Sequence, residues 1–343
     1  MDTLSPIVDR GGPAQPLLLA SGLQKHFPVG GGLLGRNRKV VRAVDGLTLS
    51  VAKGETLGVV GESGCGKSTV ARLLIRLIKP DAGTMVLDGD PVDEPHGITV
   101  NELRRQVQMV FQDSYASLNP RLTIAETLAF APRAHGLPAN EARARVRDLL
   151  ARVGLEPDTY AERYPHELSG GQRQRVNIAR ALALRPRLII LDEAVSALDK
   201  SVEAQVLNML VDLKKDLGLT YVFISHDLNV VQYLSDRVLV MYLGKIVELG
   251  PVDAIYGDPQ HPYTRALLSA RPSMDPRKRT REAPIQGDPP NPIDPPSGCR
   301  FRTRCPFAED VCGRAEPALT DTGAQAVACH MRIPGSGHSR AAA

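Results

Sequence analysis

The sequence predicts an α/β chain built on a parallel sheet, with an inserted helical subdomain and a small cysteine-containing C-terminal extension. Three observations carry that expectation. Short apolar, β-rich runs alternate with helical stretches over the first three-quarters of the 343 residues. A glycine-rich loop joins one such run to a helix. Composition then changes sharply, with eight prolines in the 28 residues Arg271–Gly298. At roughly 150 residues per domain, the length fits about two domains.

Taken in order, Thr56–Val60 is an apolar run ending at Gly61, and Ser68–Ile78 continues with apolar residues at helical spacing. Val107–Phe111 reads as a further strand. Thr123–His135 and Asn140–Val153 read as helices, the second with Val146, Leu149, Leu150 and Val153 on one face. They place the helical subdomain at about residues 112–186. Leu188–Leu191, Tyr221–Ile224 and Val238–Tyr242 are compact β-rich runs of the kind buried in parallel sheets. Arg271–Gly298, with Arg277, Lys278, Arg279 and Arg281, reads as a linker or extended arm. There is no internal repeat.

Composition excludes several classes. Hydrophobic residues at 43% and charged residues at 23% describe globular rather than disordered material. Forty-two Lys and Arg against 38 Asp and Glu leave +4, too little to argue nucleic-acid binding from charge. No apolar run nears the ~18 residues that cross a bilayer, and Met1–Gly22 lacks a basic patch followed by an apolar core. The expectation is a soluble, cytosolic protein.

The chemistry begins at Gly61-Glu-Ser63-Gly64-Cys65-Gly66-Lys67-Ser68-Thr69, which fits G-x-x-x-x-G-K-[ST] between a predicted strand and a predicted helix. Glycines let the backbone wrap phosphate, and N–H groups at a helix start point at it along the favourable end of the dipole. Lys67 reaches the β- and γ-phosphates, and the Ser68 hydroxyl ligates Mg²⁺. The core is therefore expected to be a P-loop NTPase fold. Cys65 serves as a small side chain between two glycines, although a helix start that lowers a thiol pKa also admits a redox switch. Downstream, the apolar strand Leu188–Leu191 ends in Asp192 and Glu193 at the carboxyl edge of the sheet, where α/β proteins bind ligands. Asp192 can hold the Mg²⁺ shell, and Glu193 can polarise the attacking water.

Leu168-Ser169-Gly170-Gly171-Gln172 then brings a family into view. With the P-loop and Asp192-Glu193, the chain resembles the nucleotide-binding subunit of an ATP-binding-cassette transporter over about residues 17–257. The resemblance implies ATP and Mg²⁺. Gln112 resembles the Q-loop glutamine, which contacts Mg²⁺ and faces the membrane partner. Asp199 in Ser196-Ala-Leu-Asp199 resembles the D-loop, and His226 the switch histidine at the γ-phosphate. Phe27 resembles the adenine-stacking aromatic, although a glycine-rich insertion (Gly30–Arg38) separates it from the next strand. In that family the signature closes over ATP held by a second subunit. The physics agrees: two glycines opening a helix (Gln172–Leu184), beside the Ser169 hydroxyl, make a second phosphate-binding end.

Further strings narrow the resemblance to ATPases of oligopeptide/dipeptide importers. They are Phe111–Pro120, His261-Pro-Tyr-Thr264, and Gly287–Pro292 leading to Pro296-Ser-Gly-Cys299. The F-type subunit matches better than the D-type. The implied partners are a second ATPase subunit (a non-identical D-type paralogue), two transmembrane permease subunits and an extracytoplasmic solute-binding protein. The implied place is peripheral, on the cytoplasmic face of the inner membrane, with the permease meeting the surface around Gln112–Pro120.

Four cysteines close the chain at spacing Cys299-x5-Cys305-x6-Cys312-x16-Cys329. Zinc-ribbon knuckles and the ferredoxin run are both missing. Four thiolates can still satisfy one 4Fe–4S cluster or one zinc, or can pack unligated. Some importer ATPases with a similar tail carry a 4Fe–4S cluster there. Arg300, Arg302 and Arg304 are expected to offset thiolate charge, and His330, beside Cys329, to lie at the surface, with a substitute ligand as the alternative.

The sequence thus reads as an ATP-hydrolysing subunit of a bacterial di- or oligopeptide importer. Residues 1–257 form the nucleotide-binding domain and 258–343 the extension. Glu193 is the base, His226 the γ-phosphate contact, and Lys67 with Mg²⁺ the charge stabiliser. Two alternatives stand beside it: the same importer for glutathione, nickel or a sugar, and a soluble cassette ATPase outside transport.

Overall fold

The computed structural model describes residues 11–12, 14–29, 39–271, 287–288 and 290–341. The Gly30–Arg38 insertion and most of the Arg271–Gly298 arm, with Arg277, Lys278, Arg279 and Arg281, lie outside the described residues. The strands begin with β1 (Leu18–Val29), β2 (Lys39–Val51), β3 (Thr56–Val60), β4 (Ala82–Leu87), β5 (Asp90–Pro91) and β6 (Val107–Val110). They continue with β7 (Leu188–Asp192), β8 (Thr220–Ile224), β9 (Arg237–Tyr242), β10 (Lys245–Pro251), β11 (Thr320–Asp321) and β12 (Ala326–Val327). The helices are α1 (Lys67–Leu74), α2 (Val100–Gln106), α3 (Ile124–Ala134), α4 (Ala139–Arg152), α5 (Pro157–Tyr160) and α6 (Gly170–Leu182). After them come α7 (Lys200–Leu217), α8 (Leu228–Leu234), α9 (Val252–Gly257), α10 (Pro262–Ser269) and α11 (Asp310–Arg314). Each strand expected from an apolar run is present. The helix expected to reach Ile78 stops at Leu74, with Arg76 in the left-handed region (φ 55°). Lys79 precedes Pro80, and the residue before a proline is driven out of helical geometry, so the chain must leave the helix early.

Two units divide the fold. The first comprises the described parts of Met1–Leu19, Ser50–Thr56 and Met85–Ser225. In it β6, β7 and β8 pair in parallel, with Val110 opposite Leu191 and Asp192 opposite Ile224. Every residue of β7 and β8 is buried, which is why these segments read as unbroken apolar runs. Around them lie the expected helices. α3 starts at a Thr123/Glu126 capping box, and Leu137, Ala142 and Leu184 form a small apolar cluster. Asp88 is buried and paired with Lys53 at 2.8 Å and Arg187 at 2.7 Å.

The second unit comprises Ala20–Leu49, Leu57–Thr84 and the described part of His226–Ala343. Here β3 runs parallel to β9, β9 antiparallel to β10, and β10 antiparallel to β12. The cysteine-bearing segment therefore adds strands β12 and β11 to the sheet edge, which local patterning of two-residue strands could not show. Tyr242, Tyr263 and Phe301 form an aromatic knot with ring centroids 4.7–5.4 Å apart. Among the described residues no helix is long and apolar enough to cross a membrane.

Beneath the knot sits a buried polar pair. Glu248 of β10, fully buried, accepts from the backbone N–H groups of Gln260 (2.6 Å) and His261 (3.1 Å) and from the Gln325 side chain (2.9 Å). Burial pushes its carboxyl up, against the pull of these hydrogen bonds. His261 caps α10 through Nδ1, which accepts from Tyr263 N–H at 3.0 Å. Burial alone holds its imidazole down to about 3. Such a histidine stays neutral when folded and takes its proton only on unfolding. Its stabilisation is full above the unfolded value near 6.5 and is lost as pH falls toward about 3. Glu248, raised in the fold, acts in the opposite sense, so the variant comparison isolates the histidine. Between pH 7 and pH 5 the wild-type chain is expected to lose about 2 kcal/mol more stability than His261→Asn, read from urea midpoints. Equal losses would refute it.

Candidate functional site

The second unit carries the phosphate loop. β3 delivers Gly61, and α1 starts directly after Gly66, which adopts φ 109°. A Cβ at Gly66 would overlap the Ala43 carbonyl oxygen, so only glycine fits this approach. No side chain caps the start of α1, the end at which a helix directs its first-turn N–H groups toward an anion. Lys67 is buried, and its Nζ donates to the carbonyls of Gly61 (2.7 Å) and Glu62 (3.0 Å). Ser63 and Gly64 are exposed at the loop tip, and Ser68 and Thr69 are half-buried in the first turn of α1. Cys65 is buried, and burial raises its thiol despite Lys67 nearby. That removes the helix-start argument for a reactive thiol, leaving Cys65 as a packed small side chain.

The same unit holds Phe27 and His226. Phe27 lies near the exposed end of β1, with Lys25 Nζ 5.7 Å from its ring centroid. His226 is exposed, two residues beyond the end of β8.

In the first unit the carboxylate site is formed. Asp192 ends β7 and is buried; Glu193 follows in the left-handed region at φ 48°, its N–H bonded to the Ile224 carbonyl at 2.9 Å. A non-glycine residue held there costs on the order of 1 kcal/mol, a strain typical of working sites. Gln112, just after β6, donates through Nε2 to Glu193 Oε2 at 2.8 Å. Two side chains 81 positions apart are thus joined at the carboxyl ends of adjacent parallel strands.

The signature lies in this unit too. Ser169 caps α6 in a capping box with Gln172: Ser169 Oγ accepts from Gln172 N–H at 3.3 Å, and Gln172 Oε1 accepts from Ser169 N–H at 2.9 Å. The Ser169 hydroxyl oxygen thus accepts within the helix start and keeps its own O–H as a donor. The amides of Gly170 and Gly171 remain as first-turn donors. A Cβ at Gly171 would overlap Val202 of α7, whereas Gly170 faces open space. Asp199 is exposed and directly precedes α7.

Patterning missed what α6 does along its length. Arg173, Asn177 and Arg180 recur at helical spacing on one face, each reaching the segment after Gln112. The Arg173 guanidinium lies 5.3 Å from the Tyr115 ring centroid, and Asn177 Nδ2 donates to the Ser114 carbonyl at 3.0 Å. Arg180 donates to the Ser117 carbonyl. An arginine on a helix ordinarily marks solvent; only the packing shows these three side chains turned toward the segment after Gln112.

The tail corrects two expectations. Arg300 is committed to Asp45 and the Leu243 carbonyl, Arg302 to Ser297, and Arg304 to Glu62, so their charge goes to other partners than the thiols. Arg332 instead acts on Cys329. His330 is buried rather than at the surface, its Nε2 2.9 Å from the Ala315 carbonyl oxygen. All four tail cysteines are free thiols lining one small pocket with Phe301 and Phe307. Burial, reinforced by the neighbouring thiols, pushes Cys299 up to about 12 and Cys329 up to about 11. Among the described residues no group of three or more His, Cys, Asp or Glu is arranged to hold a metal ion.

Comparison with known proteins gives this geometry a context. Residues 44–196 match the ABC transporter family, and residues 247–312 match the oligopeptide/dipeptide transporter C-terminal region. A "Probable peptide ABC transporter ATP-binding protein" of Sinorhizobium fredii is 52% identical over 324 residues, covering 93% of this chain and 90% of that protein. The oligopeptide transport ATP-binding protein AppF of Bacillus subtilis is 49% identical, covering 90% of this chain and 95% of that protein. Among solved structures, cbiO1 of Clostridium perfringens superposes with a TM-score of 0.60 at 29% identity, over 71% of this chain and 91% of that one. An ATP-binding cassette, MJ0796, in a dimeric post-hydrolysis state with ADP and Pi gives 0.59 at 28% identity, over 68% and 98%.

The grip of α6 on the 114–117 segment is testable. Asn177→Ala removes the donor to the Ser114 carbonyl and is expected to cost about 1–3 kcal/mol. Hydrogen exchange should accelerate selectively across residues 112–120; unchanged exchange there would contradict the assignment.

Proposed function

The chain belongs to the ABC transporter family, and we propose from that premise that it is the ATP-hydrolysing subunit of an importer of di- or oligopeptides. Its hydrolytic part is carried by the Gln112–Glu193 hydrogen bond at 2.8 Å, which joins two groups needed around an attacking water at the carboxyl ends of β6 and β7, and its importer part by the similarity of residues 247–312 to the oligopeptide/dipeptide transporter C-terminal region. Residues 1–257 act as the nucleotide-binding domain, with its helical subdomain at about 112–186, and 258–343 as the importer-specific extension.

Lys67 stabilises charge on the β- and γ-phosphates, and the amides from Gly61 to Thr69 cradle them. Ser68, Gln112 and Asp192 hold Mg²⁺, which supplies charge neutralisation when bound. Glu193 takes the proton of the attacking water, and His226 contacts the γ-phosphate. Phe27 stacks on adenine. The amides of Gly170 and Gly171 close over ATP held by a second subunit, a D-type paralogue, with Asp199 near that junction. Permease subunits meet the surface around Gln112–Pro120, which Asn177 and Arg180 tie to the signature helix. The protein then sits peripherally on the cytoplasmic membrane face, served by an extracytoplasmic solute-binding protein.

The reading of the tail as a 4Fe–4S site, with zinc as the lesser alternative, rests on donor type and on the four thiols lining one pocket, not on a preformed ligand arrangement. Cys299, Cys305, Cys312 and Cys329 would hold it. Such a cluster supplies four covalent ties and one-electron chemistry.

In the assembled transporter Glu193→Gln is expected to lower ATP turnover by about 10²–10⁴-fold while ATP binding persists. Turnover at the wild-type rate would sink the assignment of the base. For the tail, protein purified without oxygen should be brown and contain iron and acid-labile sulfide. A colourless chain with stoichiometric zinc would replace the cluster with zinc.

A further inference from the structure

Glu62, the second residue of the phosphate loop, has all three of its polar handles engaged. Its carbonyl accepts from Lys67 Nζ at 3.0 Å. Its backbone N–H donates to the Tyr263 hydroxyl at 2.8 Å, and its carboxylate receives both terminal nitrogens of Arg304, at 2.8 and 3.0 Å. Tyr263 and Arg304 come from positions 201 and 242 residues away, in the C-terminal segment. Neither side chain is loose. Tyr263 is fully buried against Tyr242 and Phe301, and the Arg304 side chain is only 6% exposed. The turn that carries Arg304 is pinned by the Arg304 N–H to the Phe301 carbonyl (3.0 Å) and by the Cys299 N–H to the Cys312 carbonyl (2.8 Å).

We propose that Arg304 and Tyr263 are positioning residues of the nucleotide site, holding Glu62 so that the phosphate loop keeps its anion-binding shape and its one carboxylate stays neutralised. The grip on Glu62 is electrostatic as well as geometric. A carboxylate within a loop that must receive a polyphosphate opposes binding unless a cation is paired with it. A bidentate guanidinium supplies that cation in fixed geometry, which lysine does not match. Tyr263 fixes the backbone of the same residue and satisfies an N–H that would otherwise be left without an acceptor. When Lys67 turns to phosphate and leaves the Glu62 carbonyl, these two contacts keep the loop in register. The cysteine-bearing extension thereby becomes a working part of the ATP site, through one arginine on the turn that carries Cys299 and Cys305.

This inference rests on the chain binding MgATP, and the test separates the two. MgATP is titrated into the purified full chain and into variants. A wild-type chain that binds no MgATP overturns the ATPase reading itself. If wild type binds, Arg304→Gln is expected to weaken MgATP affinity by about tenfold, from the unpaired Glu62 carboxylate. The same substitution made on a Glu62→Gln background should change affinity by less than about twofold, because the repelling charge is gone. A merely structural arginine would weaken binding equally in both backgrounds, and that result overturns the proposal, as does an Arg304→Gln chain that binds like wild type. Should Arg304→Gln not fold, Tyr263→Phe keeps the ring and removes only the acceptor. It is expected to weaken MgATP about threefold, and unchanged affinity would overturn the backbone half of the grip.

Discussion

A helix that receives phosphate at its N-terminus must leave its first amides uncapped, and an uncapped start has to be held open by something other than itself. This constraint runs through the molecule. At α1 the preceding residue is a glycine at φ 109° with no capping side chain. The loop is therefore steadied from outside: Ala43 closes against Gly66, Tyr263 holds the Glu62 amide, and Arg304 holds its carboxylate. At α6 the solution differs. Ser169 and Gln172 satisfy part of the start internally, and the two glycines behind them supply the remaining donors.

The constraint also explains the distribution of buried charge. Ion pairs on a solvated surface are worth little, whereas a bidentate arginine–carboxylate pair with most of its water excluded has both strength and direction. Arg304–Glu62 is of the second kind, whereas Arg300 meets Asp45 through one terminal nitrogen and gives the other to the Leu243 carbonyl. Both arginines emerge from the same short stretch of the extension, and both reach elements near the phosphate loop. Asp45 gathers Arg300 and Lys245 beside it, and their charges outweigh the burial that would otherwise raise its carboxyl. The extension is thus fastened by directed polar contacts and by the aromatic knot of Tyr242, Tyr263 and Phe301.

Along α6, a glycine-rich start with a capping box is joined to polar side chains that support a neighbouring segment. Asn177 and Arg180 bond to backbone carbonyls of the segment after Gln112, and Gln112 itself touches Glu193. The signature helix and that segment are therefore tied by hydrogen bonds. Carbonyl acceptors make these ties independent of the side chains at 114 and 117.

Much was legible beforehand because the signals are local. The strand–loop–helix at 56–74 announces itself by an apolar run, glycines where only glycine fits, and a lysine and hydroxyl at fixed offsets. The buried strands β7, β8 and β9 read as unbroken apolar runs because neither face sees water. What local pattern cannot hold is the choice of partner for a long polar side chain. Arg300, Arg302 and Arg304 looked like counter-charges for thiolates a few residues away; in the fold Arg300 and Arg304 reach carboxylates 255 and 242 positions distant. His330 and Cys65 likewise took their character from burial, which depends on what the rest of the chain lays over them. The sequence by itself determined the fold class, the family and the residues available for phosphate chemistry, since each is written in spacing and residue type. Tertiary structure alone decided which charges meet and which are desolvated, because charge pairing and water exclusion are set by three-dimensional neighbours that sequence order does not specify.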